Sequence, residues 1–66
     1  MLNYTKLKHL RESRSVTQAE LAEAVGVSPT AISYFENGLK DPKLVVAKRI
    51  AKFFGVTVDE LLTENE

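Results

Sequence analysis

The chain has 66 residues, 44% of them hydrophobic, no cysteine and a formal net charge of zero. That length supports one domain, expected over residues 1–66, and the lack of cysteine excludes disulfides and thiolate metal sites. No apolar run nears the roughly 20 residues of a membrane helix, and the charged first dozen residues do not read as a signal peptide, so a cytoplasmic location is expected. A domain this small is only marginally stable, so stability is expected from helix packing, good caps and self-association.

Met1 to Ser13 reads as a first helix, with Asn3 as N-cap and Leu7, Leu10 and Tyr4 as its apolar stripe. Lys6, Lys8, His9, Arg11 and Arg14 crowd the rest; basic residues late in a helix suit its negative dipole end. Val16 is an apolar anchor before Thr17, where the sequence TQAELAEAVGVSPTAISYFENG begins. Thr17 and Glu20 form a capping box, and Leu21, Ala22 and Val25 give one stripe. Gly26 falls where that helix must stop, because glycine enters the left-handed region without a Cβ penalty. Ser28 and Pro29 restart a helix as N-cap and first-turn residue, Ile32 and Phe35 face inward, and Gly38 closes it. So short a turn forces the two helices to cross steeply, as in a helix-turn-helix.

A polar connector follows, in which Asp41-Pro42 suggests either a turn or a helix start with Pro42 at its first position. A fourth helix is expected from Lys43 to Phe54, with Leu44, Ala47, Ile50, Ala51 and Phe54 on the core face. Val45, Val46 and Phe53 make it more apolar than a surface helix requires, and Gly55 ends it. Thr57 with Glu60 is a second capping box, opening a fifth helix through about Thr63 with Val58, Leu61 and Leu62 apolar. Five short helices and no strand-like alternation make this an all-α domain.

Zero net charge hides an uneven distribution. Asp59, Glu60, Glu64 and Glu66 lie in the last eight residues, while residues 1–58 carry nine basic and five acidic side chains, a net +4. A nucleic-acid-facing surface needs a local basic footprint, not a basic chain. The acidic tail reads either as a solvated end or as a segment that repels DNA and orients the domain. An enzyme is not expected: His9 is the one histidine, no Ser/His/Asp set, metal-ligand spacing or phosphate loop is present, and a small helical domain offers little room for a closed site.

The pieces LKHLRES, TQAELAEAVGVSPTAISYFENG and FFGVTVDELL resemble the Cro/CI repressor-type helix-turn-helix family, also called the XRE family. The resemblance runs from Leu7 to Leu62, and its motif spans residues 17–38. It implies a five-helix lambda-repressor-like domain that binds double-stranded operator DNA as a transcriptional regulator, with the third helix in the major groove and the second across the phosphate backbone. It implies no cofactor and no metal, and it leaves a bare DNA-binding domain. Carried over residue by residue, Gln18 and Asn37 meet phosphate, and Ser28, Pro29, Thr30, Ser33 and Tyr34 form the base-reading face. Lys40 and Lys43 flank Pro42 and are expected on phosphates beside the reading helix. Arg11 and Glu36 match an ion pair that ties helix one to the end of helix three; Arg11 is a further candidate for phosphate. Between Ser28 and Phe35 there is no Arg, Lys, Gln or Asn, so the usual bidentate Arg–guanine or Gln–adenine pair is missing. Specificity is expected from thymine-methyl contacts, DNA shape and water.

The family also implies a homodimer on a palindromic operator, with Val45, Phe53, Val58, Leu61 and Leu62 as interface candidates, one or two of them making the contact. Lys48 stands where an apolar residue is common, which marks that side of helix four as exposed. The alternative is an antitoxin or other interaction module that binds a protein partner as well as its own promoter.

Overall fold

Four of the five helices begin where the sequence offers a side-chain oxygen to the first free N–H groups. The computed structural model describes residues 2–62, and these form α1 (Tyr4–Ser13), α2 (Gln18–Val25), α3 (Pro29–Glu36), α4 (Leu44–Phe54) and α5 (Val58–Leu61), with no strand among them. Asn3 Oδ1 accepts from the Lys6 N–H, Thr17 Oγ1 from Glu20, Ser28 Oγ from Ala31 and Thr57 Oγ1 from Glu60. At Thr17 and Thr57 the glutamate three residues on accepts the cap's own N–H, so both capping boxes are complete. Helix α4 is the exception. Its N-cap is Lys43, which supplies no side-chain hydrogen bond, and Pro42 lies before the helix, not in its first turn.

A second regularity accompanies the caps. The residue before each side-chain cap is apolar and the fourth helical residue is its buried partner in the same core: Leu2 with Leu7, Val16 with Leu21, Val27 with Ile32, Val56 with Leu61. Each pair has the spacing of a hydrophobic staple, which sets the angle at which the chain enters the helix. Of the four residues before the caps the sequence reading names only Val16, and Leu2 is the omitted one that is fully buried. It is buried, its N–H donates to Asp41 Oδ1 at 3.1 Å, and the Asn3 N–H donates to the Leu61 carbonyl at 2.7 Å. The N-terminal residues are therefore stitched to the connector and to α5.

The core collects Leu2 and Leu7, then Leu21, Ala22 and Val25 from α2, Ile32 and Phe35 from α3, Ile50, Ala51 and Phe54 from α4, and Leu61. Helix α2 packs on α3 and α4, α1 on α3, and α4 on α5. Three expectations need correction. Leu44 has core spacing but is 62% exposed. It is the first residue of α4, and because side chains tilt toward the helix N-terminus, it points past the elements that cover Ala47. Tyr4 does not join the stripe of Leu7; it stays partly exposed and lies against Gly38, where an added Cβ would come within 3.0 Å of its ring. Helix α5 ends at Leu61 with Leu62 as its cap, and Thr63 lies outside the described residues, as do Glu64 and Glu66.

Candidate nucleic-acid interface

The angle between α2 and α3 is set by one left-handed residue. Gly26 has φ +77°, and its N–H and that of Val27 both donate to the Ala22 carbonyl, at 2.9 and 3.0 Å. This double closure ends α2 within one residue, and Ser28 starts α3 two residues later. The inner faces, Leu21, Ala22 and Val25 against Ile32 and Phe35, are buried, so the pair is a rigid unit. Arg49 of α4 reaches the same turn: its Nη1 donates to the Val25 carbonyl at 3.5 Å. A cation there satisfies the negative end of α2.

What α3 leaves outside is a short polar-aromatic face. Ser28, Pro29 and Thr30 are exposed, Ser33 is half-buried, and Tyr34 is 45% exposed. Two of these hydroxyls already serve the helix. Ser28 Oγ caps the N-terminus at 3.1 Å, and Ser33 Oγ accepts from Asn37 Nδ2 at 3.4 Å. Thr30 and Tyr34 remain as the outward hydroxyls. Asn37 is the helix cap, donating from Nδ2 to the Ser33 carbonyl at 2.8 Å, which leaves its amide oxygen outward. Lys40 and Lys43 are exposed on the connector that follows.

Behind this face lies a buried charge cluster. Arg11 Nε donates to Glu36 Oε2 at 2.6 Å and Arg11 Nη2 to Glu36 Oε1 at 3.0 Å, a two-pronged pair that is 11% and 2% exposed at its side chains. The third arm, Nη1, donates to the Val16 carbonyl at 2.8 Å. The hydrogen bonds that Arg11 donates to Glu36 raise the Arg11 pKa above its ordinary value, against the opposing effect of burial, so the guanidinium is charged throughout any working range. Gln18 joins the cluster by donating from Nε2 to Glu36 Oε1 at 3.1 Å. Sequence spacing places Gln18 and Glu36 on separate helices with no hint that they touch.

The dimer candidates separate by burial. Val45, Phe53 and Leu62 are exposed, at 59%, 43% and 38%. Val58 is packed partly against the core. Leu61 is withdrawn, because it is fully buried in its own monomer and its carbonyl holds the Asn3 N–H. Lys48 is exposed. Arg14, read as a dipole partner for its own helix, instead donates to the Phe54 carbonyl at the end of α4, with its guanidinium 5.3 Å from the centre of the Phe54 ring. Among the described residues no group of three or more His, Cys, Asp or Glu is placed to hold a metal, and no helix is long and apolar enough to cross a membrane.

Residues 7–61 match a protein-family model described as Helix-turn-helix. The chain is 49% identical over 61 residues to the HTH-type transcriptional activator BcrR of Enterococcus faecalis, covering 92% of this chain and 30% of that protein. It is 36% identical over 62 residues to the cryptic phage CTXphi transcriptional repressor RstR of Vibrio cholerae, covering 94% of this chain and 56% of that one. The chain thus spans only 30% and 56% of these two relatives' length. Its fold matches the crystallised P22 c2 repressor, solved in complex with a synthetic operator, with a TM-score of 0.91 and 28% identity over 98% of both chains.

Proposed function

The chain belongs to the Cro/CI-type helix-turn-helix (XRE) family of DNA-binding transcriptional regulators, and from that membership we propose that it represses transcription by holding α3 in the major groove of a palindromic operator as a homodimer. The observation that carries this reading is the α2–Gly26–α3 unit, rigid on its inner side and presenting Thr30 and Tyr34 on its outer side. Gln18, Asn37, Lys40 and Lys43 would then lie along phosphates, and half-sites would be one DNA turn, about 34 Å, apart. Repression is favoured because a domain that occupies a promoter excludes polymerase with no further contact. The likeness to the P22 c2 repressor extends over nearly the whole of both chains.

Thr30 offers a methyl to thymine and a hydroxyl to either base type, and Tyr34 an aromatic edge and a hydroxyl. With no side chain on this face that can make a bidentate base pair contact, sequence preference rests on thymine methyls, groove shape and bridging water. Selection of bound sequences from a random duplex pool tests the whole reading. A symmetric, thymine-containing site is expected. Thr30→Ala and Tyr34→Ala should each reduce the preference for that site over random DNA by roughly 1–3 kcal/mol; an unchanged ratio for both overturns the assignment of the reading face.

A protein partner is the second reading. The feature favouring it is Phe53, left 43% exposed beside Val16 and Ala24. Weak DNA binding combined with tight capture of a co-purifying protein would decide for it.

A further inference from the structure

We infer that Glu36 is a positioning residue for a DNA phosphate contact made by Gln18, an inference that rests on the phosphate reading of Gln18 given above. Among the described residues Glu36 is the one charged or polar side chain that is buried, and its ionised carboxylate only accepts hydrogen bonds. One oxygen is held by Arg11 Nε at 2.6 Å; the other is shared by Arg11 Nη2 at 3.0 Å and Gln18 Nε2 at 3.1 Å. An acceptor-only partner settles which way round the Gln18 amide lies: the nitrogen faces in. That nitrogen carries a second hydrogen, which the single bond to Glu36 leaves for a partner outside.

Gln18 is the first residue of α2 and is half-buried, so this hydrogen sits at the positive end of the helix. A phosphate oxygen arriving there meets an N–H whose direction is already set, and the cost of ordering a long side chain on binding is reduced in advance. Arg11 completes the arrangement electrostatically. Without it, the Glu36 charge would repel the phosphate that its hydrogen bond prepares for. Holding α1, the entry to α2 and the end of α3 together requires only the three arms of Arg11 on Glu36 and Val16. Gln18 adds little to that joint, which is why its bond to Glu36 points to a role in binding.

The test is a coupling measurement by fluorescence anisotropy at low salt on a mixed-sequence duplex of about two helical turns, since a phosphate contact is independent of sequence. In the natural background Gln18→Ala should weaken binding about tenfold. In the doubly substituted background Arg11→Met with Glu36→Met, which replaces the ion pair by apolar side chains without leaving a lone charge, the same change should cost less than twofold. With Glu36→Gln, which keeps an acceptor oxygen, the tenfold effect should persist. Equal losses in the natural and Met/Met backgrounds overturn the positioning role. No loss in the natural background overturns the phosphate reading of Gln18 itself, and the inference with it. A measurement on the unaltered protein guards against a Met/Met variant that does not fold. By NMR, the Gln18 side-chain amide should show one proton protected from exchange and the other shifting as duplex is added; two equally exposed protons overturn the inference.

Discussion

Ser15 is the one described residue other than glycine with positive φ, at +56°. It follows the last turn of α1, where its N–H donates to the Glu12 carbonyl and the Val16 N–H to the Arg11 carbonyl. A residue with a Cβ is strained there by about 1–2 kcal/mol, while glycine loses up to roughly 1 kcal/mol more chain entropy on folding. Ser15→Gly should therefore stabilise the domain by about 0.5–1 kcal/mol in urea titrations. Glu20 gives the residue-scale pH dependence. Hydrogen bonds from the Thr17 N–H, and then from its hydroxyl, hold the Glu20 carboxyl below its ordinary 4.5. A carboxyl depressed in the folded state contributes stability that is complete above the unfolded value and lost as pH falls through the folded one. Acid below about pH 4.5 should thus loosen the start of α2, and Glu20→Gln should remove that part of the dependence, as followed by thermal melts against pH. The Thr17–Glu20 box was readable in advance, since its residues lie three apart; the left-handed turn at Ser15 was not, because no glycine or asparagine marks it.

At the scale of elements the Arg11–Glu36 pair and the bare cap of α4 are the informative features. Removing one partner of a buried pair leaves an uncompensated charge, so Glu36→Ala should cost about 3–5 kcal/mol in equilibrium unfolding, and the double replacement by methionine far less. Lys43 sits at an N-cap without capping. Lys43→Ser supplies an oxygen to α4 and should stabilise the domain by about 0.5–1 kcal/mol. It should also lower the slope of log K against log salt for DNA binding by about 0.9, if Lys43 meets a phosphate as proposed. A position that is poor for the helix and useful for binding would show both changes together. An unchanged slope would leave Lys43 as a solvated loop residue.

At the scale of the whole molecule, Leu2 closes the core by joining the connector through Asp41, while its neighbour Asn3 reaches the end of α5. Leu2→Ala should cost about 2–5 kcal/mol, the range for a buried leucine, although it lies outside every helix. Dimerisation, in the reading proposed above, falls to the exposed Val45, Phe53 and Leu62, with Val58 only partly available because it packs on the core and Leu61 occupied internally. Sedimentation near micromolar concentration should detect a dimer at least in the presence of operator DNA; monomer alone in both conditions rejects it.

The number of helices, the side-chain caps of α1, α2, α3 and α5, the glycine stops at Gly26 and Gly55 and the helix-turn-helix unit were legible in the residues, because each is decided by spacing within one or two turns. The same periodicity misplaced Leu44, whose spacing matches the core stripe but whose place at the tip of α4 leaves nothing to cover it. Leu2 carried a readable signal, an apolar residue just before the Asn3 cap, yet its burial depends on α5 and the connector arriving from the far end of the chain. Arg14 on Phe54, Arg49 on the end of α2, and Gln18 on Glu36 are likewise pairings between separate helices. No local rule sets those distances. Packing of α2 against both α3 and α4 does, and it turns Glu36 from a helix-end glutamate into the buried centre of the end proposed to meet DNA.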